Sequence, residues 1–279
     1  MNATLKTYRY LRLAMVLLVL MLFVSVGVEW WHTGRRCFQE SISAYYYTPV
    51  QAVFVGALAA IGVCLVSLKG DTEWEDVLLN LGGMLLPVVA FVPVPGQGSC
   101  RSVPVLLRDT PADVANNMAA LLVTGGVALV IVVVLVLRSR EPATTRARLV
   151  GSGVAGAAYL VGVVWFLAGR ASFLRFAHYV AAIGFFVCLV GVVVLNARGF
   201  RLARRTAVPS RRAFVNRYAV IAALMVLSSV GLGLAGIVLH WRHALLWVEG
   251  TLIALFALFW LSQTEELWDE GLRRTRSPR

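Results

Sequence analysis

The feature that most constrains this chain is a series of long apolar runs separated by short charged or Pro/Gly-rich breaks. They lie near residues 11–31, 49–68, 73–94, 111–137, 149–169, 176–195, 218–239 and 244–261. A hydrocarbon core of about 30 Å is crossed by roughly 20 helical residues, and the runs have that length. Backbone in lipid must satisfy its own N–H and C=O groups, so each run predicts an α-helix. The expected fold class is all-α: an integral membrane helical bundle of about eight transmembrane helices in a single transmembrane domain, residues 1–279. A hydrophobic fraction of 59% against 14% charged residues excludes a water-soluble domain. The eighth run is the shortest. His240, Trp241, Arg242 and His243 alone separate it from the seventh, which predicts a tight antiparallel hairpin.

Sidedness follows from the basic residues. Of the 26 Lys and Arg, 19 fall in the N-terminal segment, the even-numbered connections and the C-terminal segment, and 7 fall in the odd-numbered connections. The positive-inside rule then places both the N and C termini on the cytoplasmic side of a cell membrane. The net charge of +12 is thereby read as anchoring, with anionic lipid as partner of the cytoplasmic connections, above all Arg198 to Arg217. No recognition helix, stacking sheet or zinc-finger spacing accompanies the charge, so nucleic acid is not an expected partner. The run after Arg12 is longer than a secretory signal, and Val28-Glu29-Trp30-Trp31 offers no small-residue cleavage site. It is read as a retained first helix. Trp30, Trp31, Trp241 and Trp247 are expected at the outer interface, and Trp74, Trp260 and Trp268 at the inner one.

Three helix starts carry capping chemistry, because the first N–H groups of a helix lack internal partners. Thr48-Pro49-Val50-Gln51 and Thr72-Glu73-Trp74-Glu75 have the spacing of a capping box, and Thr110-Pro111-Ala112-Asp113 repeats it with a shorter acid. Small residues predict close helix approach at Gly56 with Ala60, at Ser152 with Gly156, and at Gly231, Gly233 and Gly236.

The chemistry-bearing residues gather on the outer side. Cys37 and Cys100 lie in the first and third connections, where a disulfide between them is expected, whereas Cys64 and Cys188 sit inside spans as packing residues. His32, His178, His240 and His243 all fall at or near the same side. His240 and His243, three residues apart, are candidate metal ligands, with Glu249 one turn deeper or Asp109 and Asp113 opposite. Glu249 itself lies about five residues inside the eighth span. An uncompensated carboxylate there costs on the order of 3 kcal/mol, so it should face the bundle, protonated or paired with Arg242 or a histidine. Asn116 and Asn117 sit at a similar level and are candidates for the same pocket. Ser43, Tyr45 and Tyr46 belong to Ser41-Ile42-Ser43-Ala44-Tyr45-Tyr46-Tyr47-Thr48-Pro49, where three consecutive tyrosines cannot all face one way. At least one should enter the bundle while others anchor at the headgroups.

That segment, with Val53-Phe54-Val55-Gly56, Lys69-Gly70, Glu75-Asp76, Asn80-Leu81-Gly82-Gly83 and Pro93-Val94-Pro95, resembles a group of uncharacterised bacterial multi-pass membrane proteins. The resemblance covers about a fifth of the chain and implies kinship without an activity. A looser similarity is to the ceramidase and adiponectin-receptor class of seven-helix metal hydrolases. The second and third spans here lack histidine, and His240-x-x-His243 lies in a connection, which departs from that pattern.

Three functional classes follow. The leading one is a non-enzymatic multi-pass protein, without cofactor, that binds a lipid headgroup or small ligand at an outer mouth formed by Ser43, Tyr45, Tyr46, Asn116, Asn117 and Glu249. The alternatives are a metal-dependent lipid hydrolase carrying zinc on His240 and His243, and a proton-coupled transporter using Glu249.

Overall fold

The structure is a computed structural model. It describes residues 3–35, 38–95, 110–138, 146–205 and 216–269. The helices are α1 (Ala3–His32), α2 (Gln51–Ser67), α3 (Glu73–Phe91), α4 (Thr110–Arg138), α5 (Arg146–Ala168), α6 (Arg170–Arg205), α7 (Arg217–Val238) and α8 (Ala244–Glu266). A short 3-10 helix, Ser43–Tyr47, precedes α2. The described residues contain no strand. Seven of the helices are long and apolar enough to cross a membrane. The exception is α2, whose 17 residues span about 26 Å. The shortest helix is therefore α2 and not the last one, since α8 continues through Gln263 to Glu266.

The short second helix is compensated by what comes before it. Residues 41–48 fold inward over the bundle, and Tyr45, Tyr46 and Tyr47 are all buried, at 1%, 4% and 8% exposure. None of the three anchors at an interface, contrary to the expected split. Irregular backbone is tolerated at such depth where protein surrounds it. The Tyr47 hydroxyl donates to the Val94 carbonyl at 2.8 Å. Tyr46 meets Tyr47 and Phe54 edge to face.

The main core joins α1, the 3-10 segment, α2, α3, α6, α7 and α8. Helix α3 packs most extensively on α6 and α2, and α8 on α7 and α1. A smaller cluster of Val92, Val114, Met118, Phe166, Phe173 and Ala177 fastens α4 and α5 to the rest at one end. Elsewhere α4 and α5 present apolar side chains outward, from Val123 to Leu135 and from Leu149 to Leu167. Such faces suit a hydrocarbon solvent.

Close approach occurs at other glycines than expected. A Cβ on Gly62 would stand 2.8 Å from the Gly83 carbonyl oxygen, and one on Gly83 would stand 2.7 Å from that of Gly62. The pair brings the α2 and α3 backbones together. Gly56, Gly156, Gly231 and Gly233 have open space instead, and Gly236 meets Ala244 across the α7–α8 turn. Small residues permit contact without requiring it.

The Thr72 cap forms as expected, with its hydroxyl accepting from the Glu75 N–H at 3.2 Å. At Thr48 the hydroxyl accepts from Val50 N–H at 3.3 Å, while its own N–H goes to the Tyr45 carbonyl at 3.1 Å. The reciprocal half of a capping box is thus replaced by the 3-10 turn, and regular α2 starts at Gln51. Trp260, expected at an interface, is 1% exposed and belongs to the core, whereas Trp31, Trp74, Trp241, Trp247 and Trp268 are exposed.

Candidate functional site

At one end of the bundle three side chains from distant parts of the sequence form a hydrogen-bonded chain. Glu249 is in the second turn of α8 and points at the inward-folded segment. Its Oε2 accepts from the Ser43 backbone N–H at 3.1 Å, and its Oε1 lies 3.2 Å from the Ser43 hydroxyl. That hydroxyl is also 3.0 Å from Nε2 of His178 on α6. The remaining ring nitrogen, Nδ1, meets the Val92 carbonyl at 2.6 Å. A carbonyl only accepts, so Nδ1 carries a proton and the chain reads Val92, His178, Ser43, Glu249.

The proton count of this chain is informative. Two contacts, Glu249 to Ser43 and Ser43 to His178, each need one hydrogen between the two heavy atoms. The serine hydroxyl supplies one. With an ionised carboxylate and a neutral imidazole, one contact would set acceptor against acceptor. One further proton completes both. Held on Glu249, it gives a carboxylic acid donating to Ser43 and a serine donating to neutral His178. Moved through the hydroxyl, it gives a carboxylate facing an imidazolium. Both arrangements carry the same net charge, and the first places no formal charge against an apolar wall.

That wall belongs to a cavity of about 70 Å³ lined by Glu249, Ser43 and apolar side chains of α1, α2, α3, α6 and α8. The Ser43–His178 contact resembles a nucleophile and its base. The Ser43 N–H that would donate to an oxyanion is committed to Glu249, and a carboxyl group occupies the neighbouring position.

The expected site residues divide. Ser43 and Glu249 meet directly. Tyr45 and Tyr46 are packed in the core and do not line the cavity. On α4, Asn116 is exposed and Asn117 half-buried, and neither reaches the cavity. His240 is exposed in the α7–α8 turn at a positive φ of 49°, and His243 Nδ1 donates to the Gln39 carbonyl at 3.3 Å. Among the described residues no three His, Cys, Asp or Glu side chains gather as a metal site. Arg242 does not neutralise Glu249; it faces Glu40 at 3.6 Å. Cys37 and Cys100 lie outside the described residues, while Cys64 and Cys188 are buried free thiols.

His178 is the residue that sequence reasoning misplaced. Arg170 and Arg175 interrupt the apolar pattern and set the expected span start at 176. The helix in fact begins at Arg170, so His178 lies two turns inside and is 2% exposed. Exposed Arg170 and Arg175 rest over Phe166 and Phe176, as long cationic side chains do near a membrane boundary. A histidine within Phe176–Leu195 carried the same signal that singled out Glu249.

A second polar cluster occupies the opposite end of α3, α6 and α8. Glu75, 2% exposed, accepts from the Asn196 amide at 2.7 Å through Oε1 and from the Asp71 N–H at 2.9 Å through Oε2. Asn196 Oδ1 accepts from Gln263 at 2.9 Å. Buried Arg12 of α1 faces Asp71 and Glu75 as the opposing charge.

No family model, curated protein or solved structure matches this chain.

Proposed function

We propose that this multi-pass membrane protein is proton-linked: the Glu249–Ser43–His178 chain holds one exchangeable proton beside a cavity that admits a small ligand. The observation that carries the reading is the pair of contacts on one hydroxyl, 3.2 Å to a carboxyl and 3.0 Å to an imidazole, which a single serine proton cannot serve. Proton relays in membrane proteins use such Glu and His side chains inside the bundle. The distribution of Lys and Arg supports an extracytoplasmic position for this end, with both termini in the cytoplasm and the basic connection around Arg198 against anionic lipid. Residues 206–215 of that connection lie outside the described residues. Membership of the bacterial group that shares the Ser-Ile-Ser-Ala-Tyr-Tyr-Tyr-Thr-Pro segment is part of the same reading.

The small cavity favours a small ligand over a lipid headgroup, because ordinary ligand pockets are about 300–1,000 Å³. Carbodiimide labelling tests the proton site, since a membrane-soluble carbodiimide attacks the protonated carboxyl. Mass spectrometry should find Glu249 labelled increasingly as pH falls, with Glu75 unlabelled. A Glu249 that stays unlabelled across the range in which the protein is folded would contradict the reading.

A further inference from the structure

The Glu249 cavity carries a more specific chemical signature. At about 70 Å³ it is roughly half the ~150 Å³ that lets an apolar cavity take up benzene, so it fits a short alkyl group. Phe54, Phe185, Phe186 and Phe256 contribute aromatic wall, Ser43 and Glu249 supply the polar atoms, and among the described residues no Lys or Arg lines it. An anion would meet a carboxyl group and no cation. A neutral hydrocarbon would leave the carboxyl group without a role. An ammonium group has what the site needs, because it carries a positive charge and several N–H donors beside aromatic faces.

We propose that this cavity binds a small primary alkylammonium ion, of about three carbons, in exchange for the proton held by Glu249, Ser43 and His178. The proposal rests on the proton-site reading above. In the exchange the Glu249 O–H bond breaks and the proton leaves to solvent. The ammonium then donates one hydrogen to the carboxylate and another to the Ser43 oxygen, while the serine hydroxyl donates to neutral His178. Charge balances: one cation enters and one proton leaves. Of the titratable groups on the neighbouring elements, His178 of α6 reaches the carboxyl through Ser43, while Glu29 of α1 lies towards Tyr45 and His243 at the start of α8 is held on Gln39. Helices α2 and α3 present apolar side chains to the cavity.

Calorimetric titration of the purified protein with n-propylammonium, in two buffers of different ionisation enthalpy, tests this at a pH where carbodiimide labels Glu249. One proton should be released per ion bound. Tetramethylammonium, which has no N–H, should bind about tenfold or more weakly, and Glu249→Gln should weaken n-propylammonium by about 10- to 100-fold. Ile253→Trp, which fills the cavity and leaves the three-residue chain in place, should abolish binding while Glu249 remains labelled. No binding of n-propylammonium to a protein whose Glu249 is labelled overturns the alkylammonium proposal and leaves the proton site standing. Binding without proton release, or unchanged in both variants, also overturns it. An unlabelled Glu249 overturns both.

Discussion

The two polar ends of the bundle hold a carboxyl each, Glu75 buried and Glu249 half-buried, and they treat it in opposite ways. Glu75 is surrounded by donors that do not give up their protons: the Asn196 amide, the Asp71 backbone N–H and, as counter-charge, Arg12. Its acceptors are satisfied as a carboxylate. Glu249 also accepts one backbone N–H, from Ser43, but its other oxygen meets the Ser43 hydroxyl, which in turn meets the His178 imidazole; both groups accept and donate, and the chain is complete only with one additional proton. Helix α6 serves both ends, through His178 and Asn196, roughly 27 Å apart at 1.5 Å per residue. A carboxyl inside the bundle is thus structural or exchangeable according to its donors.

The largest effect should come from the structural end. Arg12→Leu leaves Glu75 without its opposing charge and should cost about 3 kcal/mol or more, read as lost thermal stability in detergent. A stable variant would show that the amide donors suffice. Next comes the paired substitution of each carboxyl by its amide. Glu75→Gln sets an NH₂ against either Asn196 or the Asp71 N–H and should cost about 2 kcal/mol. Glu249→Gln keeps one acceptor for the Ser43 N–H and supplies a donor to its hydroxyl, so its cost should stay under about 1 kcal/mol. Equal losses at the two positions would erase the distinction. Ser43→Ala separates Glu249 from His178 and should cost about 1 kcal/mol, a typical value for a hydrogen bond between helices, while altering the pH dependence of Glu249 labelling. Smallest of all, Arg242→Ala removes an exposed pair with Glu40 and should change stability by less than about 0.5 kcal/mol.

The helices were readable because lipid forces every spanning segment to satisfy its own backbone, so apolar length alone marks them. Their ends were less readable. Helix α6 runs to 36 residues and α8 continues through Gln263, since charged or polar turns outside the hydrocarbon remain helical. The extra length hides both polar clusters from the sequence pattern: His178 falls near the start of its apolar run, and Asn196 and Gln263 fall beyond the ends of theirs. The inward fold of residues 41–48 carries no helical or strand periodicity, and its burial is set by tertiary contacts with Phe54 of α2, Val94 beyond α3 and Glu249 of α8. Glu249 was legible as an acid inside a span. Its partner Ser43 was legible as part of an unusual segment, but their contact, across 206 positions of sequence, was not.

If the Glu249 end holds a proton that the Glu75 end does not, infrared difference spectroscopy across a pH titration should find a carboxylic-acid carbonyl band that vanishes as pH rises, present in the wild-type protein and in Glu75→Gln and absent from Glu249→Gln. A band that survives in Glu249→Gln, or disappears in Glu75→Gln, would contradict it.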